Sequence, residues 1–348
     1  MEQKSFGNKV FYVPLEIIKK RYTGMMDKDL QAALWKARIP FQTIHGIQLT
    51  NEIENGAWLD SESTIYFKCS QLQEITKLFK NGEVKNGDVF FFSDLWFPGI
   101  ESIKYMAMFR NINVKICGIF HAGSWIDADY VAKLRDWVLD IEDGWFNMDD
   151  MIFLGTEFHK TEILKKIHVD SEKLHVTGLP FRPQDIVTSH RLDLMRNKED
   201  IVIFNGRLDP DKRPDIFDKL AKQNPKFKFI KTMELPLSKD EYYDLMARSK
   251  VIYSCSEEET FGYGILEGFL LGCIPLLPDK LTYPEMYPKS VLYKTFAESI
   301  LMLHTIMDNY EEVSNSLDNH RDFLYRKYAK SSMRIAHLVG SLLMEVNQ

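Results

Sequence analysis

Cysteine is scarce in this chain: there are four in 348 residues, Cys69, Cys117, Cys255 and Cys273, with no C-x-x-C pair. Wide spacing among mostly apolar neighbours predicts reduced core thiols, so neither a disulfide framework nor a zinc site is expected. Positive charge is not in excess either. Lysine and arginine number 44 against 50 acidic residues, a formal net charge of −6. The whole protein therefore lacks the basic field of a general nucleic-acid binder, although a local basic groove is compatible with that balance. No apolar run reaches about 18 residues, which excludes a spanning helix by length. The opening MEQKSFGNKVFYVPLE has no hydrophobic stretch of signal-peptide kind. A soluble, cytoplasmic protein is the expectation.

What is present is ordinary for a folded globule: 45% hydrophobic, 27% charged and 13% aromatic residues. The length exceeds one usual core, so two domains of roughly 150–200 residues are expected. Short apolar runs of strand length recur through the first half: KVFYVP, FQTIH, STIYF, DVFFFS, VKICGIF, MIFLG and KLHVTG. Helical patterns such as MMDKDLQAALWKA, GIESIKYMAMFR and EFHKTEILKKI lie between several of them. Alternation of this kind predicts a mainly parallel, doubly wound α/β sheet. Residues 181–199 carry no strand and read as a linker. At IVIFNG the alternation restarts. The division is thus 1–180, a linker at 181–199, a second α/β domain over 200–317, and a helical segment 318–348 that packs back on the first domain.

The most informative stretch is 258–275, EETFGYGILEGFLLGCIP. VIYSCS before it predicts a buried strand ending near Ser256, and GYGILEGFLLG a helix from about Gly262 to Gly272. The first turn of such a helix faces the carboxyl edge of the sheet, where free amides and the positive helix end suit a phosphate. Gly262 and Gly264 allow close approach of the backbone. Glu259 reaches a group beside that phosphate, and Glu267, more than one turn inside the helix, can accept from a hydroxyl pair such as a ribose. The competing reading is a solvated acidic loop and a surface helix residue.

A second motif is NGRLDPDKRPD at 205–215, directly after IVIF. Arg207 offers a planar fork and Lys212 a point charge, the pair that neutralises a pyrophosphate; Pro214 suits the first turn of the following helix. A solvated charged loop is the alternative.

Together, GRLDPDK and ETFGYGILE resemble the carboxyl-terminal half of retaining, family-4-like glycosyltransferases of the GT-B fold, in which two Rossmann-like domains face each other across a cleft. The likeness covers roughly residues 200–285. It implies a nucleotide-diphosphate sugar donor, commonly a UDP-sugar, with no other cofactor and no bound metal. On these positions it implies that Arg207 and Lys212 neutralise the diphosphate and that Glu259 holds sugar hydroxyls. Gly206, Thr260, Phe261, Gly262, Tyr263 and Gly264 would line phosphate and sugar, and Glu267 would bind the ribose. Gly268 replaces the family's usual alanine.

In the amino-terminal half, FFFSDLWFPGIES and GIFHAGSWIDADY each place a strand before a loop. His121 stands where the resembled family often carries a histidine near the transferred sugar; a buried histidine capping a strand is the other reading. Asp94 orients an acceptor hydroxyl, serves as a base, or caps the helix at Gly99. Trp96, Phe97 and Trp125 stack on a ligand or wedge loops onto the core. The D-x-D at Asp127–Asp129 reads as a helix start rather than a metal site. This half also looks like predicted glycosyltransferases of tailed bacteriophages, which points to a hydroxymethylated pyrimidine of double-stranded DNA as acceptor. The basic stretches KKRYTG, Lys165-Lys166 and RDFLYRKYAKSSMR would then track phosphates. A polysaccharide, lipid carrier or small metabolite as acceptor, and a nucleotide-sugar binder without turnover, are the alternatives.

Overall fold

The computed structural model describes residues 7–19, 21–50, 60–127 and 130–345. The chain divides into two compact units, one running to Phe181 and resuming at Lys330, the other Arg182–Ala329.

The first unit is built on a six-stranded sheet: β1 (Val10–Val13), β2 (Phe41–Thr43), β3 (Val89–Phe92), β4 (Lys115–Ile119), β5 (Met151–Leu154) and β6 (Leu174–Val176). Their order is β2-β1-β3-β4-β5-β6, and every pairing is parallel. The runs VFYV, VFFF and MIFL are buried throughout, as expected of strands covered on both faces. Phe11 and Phe79 both stack on Phe90, at 5.0 and 5.9 Å. STIYF, read from sequence as a strand, lies instead inside the helix Ser61–Lys80. Its β-branched and aromatic run is too short to outweigh the longer periodicity: Thr64, Phe67, Lys68, Gln71, Ile75, Leu78 and Phe79 form one buried stripe, and the Asp60 carboxylate caps the start through the Ser63 amide at 2.8 Å. Cys69 sits exposed on the same helix, unlike the three buried cysteines, which corrects the expectation that all four are core thiols.

The second unit holds β7 (Glu199–Phe204), β8 (Lys228–Lys231), β9 (Ser249–Tyr253), β10 (Ile274–Pro278) and β11 (Leu292–Tyr293), in the order β11-β10-β9-β7-β8, again all parallel. Within 181–199, the stretch expected to be a linker, lie the helices Pro183–Ile186 and Ser189–Met195. Buried Arg191 fastens the second of them to the helix Lys239–Arg248, donating to Asp240 at 2.6 Å and Asp244 at 3.0 Å.

The terminal helices separate. Asp318–Tyr328 stays with the second unit, where Arg321 donates to the Phe269 carbonyl at 2.9 Å. Ser331–Glu345 belongs to the first unit and packs on the helix Thr23–Lys36, with Ser332 bonded to Asp29 and Arg334 donating to the Thr177 carbonyl at 2.6 Å. Among the described residues no helix is long and apolar enough to cross a membrane.

Candidate functional site

In the second sheet the connection order reverses between β7 and β9, which lie side by side. Open parallel sheets bind ligands outside the carboxyl ends of the strands at such a reversal. The loop after β7 carries Gly206, Arg207 and Lys212, and the loop after β9 carries Glu259 through Gly262, so the two motifs of the sequence meet there. Backbone bonding ties them: the Glu257 amide donates to the Asp211 carbonyl at 2.7 Å.

Lys212 Nζ lies 2.5 Å from the Glu258 carbonyl, 3.4 Å from Glu259 Oε2 and 3.3 Å from Asp211 Oδ2. Arg207 reaches the same Asp211 oxygen at 3.4 Å and is also bonded to Asp209. Both cations are mostly covered, at 24% and 13% side-chain exposure. Asp209 and Asp211, which are spacers in a motif reading of GRLDPDK, hold them in place and offset their charge.

The other Glu259 oxygen accepts from the amides of Gly262 at 2.9 Å and Phe261 at 3.4 Å. That carboxylate therefore sits at the start of the helix Tyr263–Leu270, where the macrodipole favours negative charge. Gly262, the residue before the helix, has φ +77°, a left-handed conformation that a side chain disfavours. Phe261 is buried, edge-on to Tyr263 at 4.9 Å and Tyr328 at 5.0 Å, and anchors the loop. Thr260 precedes it, partly covered. Beneath lies a hydroxyl network in which Tyr283 bonds Ser254 Oγ at 2.7 Å, and burial raises the Tyr283 phenol above its ordinary pKa.

Glu267 is neither solvated nor a surface residue: it is 7% exposed. Tyr243 and Lys239 donate to Oε1 at 2.9 and 3.2 Å, and Tyr242 donates to Oε2 at 3.1 Å. Asn205 donates in turn to the Tyr242 hydroxyl at 3.2 Å. Burial and the facing carboxylate raise both phenols, keeping them protonated as donors. The doublet in SKDEYYDLMARS carried the only sequence signal for this ring. Gly268, in place of the usual alanine, is explained by space: a Cβ there would stand 2.6 Å from Ile252 Cδ1. At Gly206 one would lie 3.1 Å from Phe204.

In the first unit His121 follows β4. Its Nε2 lies 2.9 Å from the Ser93 carbonyl, an acceptor only, so this nitrogen carries the proton, while Nδ1 is 3.5 Å from the Tyr22 hydroxyl. Burial lowers its pKa, which keeps the ring neutral near pH 7. Asp94 does not cap the helix at Gly99: it accepts from the Trp96 amide at 3.2 Å and pairs with Lys68 at 3.1 Å. Phe97 and Trp125 are buried core residues, and Trp96 donates to Glu142 at 2.9 Å. Asp127 pairs with Arg135 at 2.7 Å; Asp129 lies outside the described residues. Of the basic stretches, Lys165 is bonded to Glu162, Lys166 donates to the Trp125 carbonyl at 3.0 Å, and Arg326 to Asp322 at 3.0 Å. Lys20 also lies outside the described residues.

No family model matches the chain. A tRNA-queuosine alpha-mannosyltransferase of Drosophila melanogaster is 41% identical over 59 residues, 17% of this chain and 16% of that protein. Among solved structures, sucrose-phosphate synthase from Thermosynechococcus elongatus aligns with a TM-score of 0.71 at 12% identity, covering 98% of this chain and 99% of the other. HepE from Anabaena, solved with UDP and glucose, aligns with a TM-score of 0.64 at 12% identity, covering 96% and 100%. The chain has the GT-B fold.

Proposed function

We propose that the chain is a glycosyltransferase that moves a sugar from a nucleotide-diphosphate sugar, with retention, onto a hydroxyl. The observation that carries this reading is the meeting of Arg207, Lys212 and Glu259 with the start of the helix Tyr263–Leu270 at the β7–β9 reversal. The UDP and glucose bound in HepE, a protein of the same fold, support it.

As the bond from the anomeric carbon to the diphosphate breaks, negative charge grows on the departing phosphate. Arg207, Lys212 and the amides from Phe261 to Gly264 are the groups to stabilise it, and fixed donors in a covered site do so without reorganising solvent. Glu259 would exchange its amide bonds for sugar hydroxyls, and Glu267 would take the ribose. His121 is neutral, with its Nε2 proton donated to the Ser93 carbonyl. The acceptor proton passes to the leaving phosphate, so no side-chain nucleophile is required.

The acceptor we favour is a hydroxymethylated pyrimidine in double-stranded phage DNA, modified in the host cytoplasm. The short match to a mannosyltransferase of tRNA queuosine supports an acceptor within nucleic acid, and gives a second reading, a nucleoside of tRNA. Mass spectrometry of nucleosides digested from hydroxymethylcytosine DNA and from tRNA, after incubation with protein and a panel of nucleotide sugars, tests both. A hexose or pentose increment on one of them, lost in Glu259→Ala, is expected. Turnover of donor with neither polymer modified removes nucleic acid as acceptor.

A further inference from the structure

The ring around Glu267 limits what that carboxylate can still bind. A carboxylate offers about four acceptor positions, two on each oxygen. Oε1 already takes Tyr243 at 2.9 Å and Lys239 at 3.2 Å, and Oε2 takes Tyr242 at 3.1 Å. Among the described residues one position on Oε2 remains. The Tyr242 hydroxyl accepts from Asn205 at 3.2 Å, and the Tyr243 ring has the cations of Arg191, at 4.9 Å, and Lys239, at 4.5 Å, over it. Both phenols are thus held as donors in one direction, and Glu267 keeps 10% of its side chain accessible.

We infer that Tyr242 and Tyr243 are positioning residues that leave Glu267 able to accept from a single ribose hydroxyl, so that the site reads one of the two hydroxyls and ignores the other. This rests on the donor-binding role proposed above for Glu267. The recognised chemistry is one secondary hydroxyl of a ribonucleoside diphosphate. A carboxylate with both oxygens open would instead chelate the diol and be sensitive to the loss of either hydroxyl.

The test is calorimetric titration of the full chain, first with UDP, GDP and ADP, then with the 2′-deoxy and 3′-deoxy forms of whichever binds most tightly. One deoxy form is expected to bind roughly ten- to a hundredfold more weakly, the range for a lost hydrogen bond to a charged group, and the other like the parent. In Tyr242→Phe a second position opens on Oε2, and both deoxy forms are expected to bind more weakly than the parent nucleotide. Lys239→Met, on the exposed side of the ring, opens a position on Oε1 with the same expected result, and stands should the tyrosine variant fold poorly. Equal weakening of both deoxy forms in the unaltered chain, or no weakening of either, overturns the inference while leaving nucleotide binding intact. If no nucleoside diphosphate binds, the donor-site reading falls, and the inference with it.

Discussion

A Cβ on Gly264 would lie 2.2 Å from the side-chain amide nitrogen of Asn205. That nitrogen is the one that donates to Tyr242, so a close approach of helix and loop and the support of Glu267 are a single arrangement. Alanine at position 264 must push Asn205 away. Gly264→Ala is expected to weaken nucleoside diphosphate binding by about tenfold or more, the effect of a lost charged hydrogen bond, with a smaller loss of stability. Titration calorimetry beside thermal melting checks this; unchanged affinity would mean that Asn205 and Tyr242 do not support the binding surface.

Lys212 and Glu259 form an ion pair at 3.4 Å. In Lys212→Met the carboxylate keeps its amide bonds to Gly262 and Phe261, so the fold is expected to survive. Turnover is expected to fall by about a hundredfold or more, as for removal of one preorganised charge from a developing anion. Glu259→Gln retains an oxygen for the same amides and is likewise expected to lose rate rather than structure. Steady-state kinetics with circular dichroism separate the two effects.

Burial lowers the pKa of His159 to about 3. Its ring lies 5.5 Å from Trp125 and its Nε2 has no hydrogen-bond partner among the described residues. The unfolded chain takes up this proton near its ordinary pKa of 6.5 and the folded chain only near 3. Stability from this group is therefore complete above pH 6.5 and is lost as pH falls through that window, by about 1.4 kcal/mol per pH unit at most. His159→Phe keeps a stacking ring without the titration. Denaturant melts between pH 7 and pH 4 are expected to show the variant losing less stability than the parent; parallel curves would contradict this.

Lys198 closes three backbone ends, donating to the carbonyls of Leu271 at 2.7 Å, Ser249 at 2.9 Å and Met246 at 3.3 Å. It thereby caps the last turns of the helices Lys239–Arg248 and Tyr263–Leu270. Lys198→Met is expected to cost on the order of 2 kcal/mol in a urea melt, from the loss of these bonds to a charged donor.

The strands were legible because VFYV, VFFF and MIFL are apolar without interruption, a pattern that the parallel sheets explain. STIYF misleads because a short window sees its β-branched and aromatic residues but not the buried stripe continuing to Phe79. β11 has two residues, too few for any pattern. At the candidate site, Arg207, Lys212, Glu259 and Glu267 follow from motif spacing. What surrounds them does not. Asn205 meets Lys239, Tyr242 and Tyr243 of a single helix around Glu267 of another, and Asp94 finds Lys68 from a helix 26 positions earlier. Such pairings depend on the packed fold, and no local spacing carries them.

Turnover of a nucleotide-diphosphate sugar at the β7–β9 loops is the proposed activity. The most direct measurement is release of nucleoside diphosphate from a panel of nucleotide sugars, by the full chain and by Arg207→Ala, with the fold of both confirmed by circular dichroism. Release from at least one donor is expected, together with its loss in the folded variant. Equal release by both proteins, or nucleotide-sugar binding without release in the presence of DNA, tRNA or glycan acceptors, would contradict it.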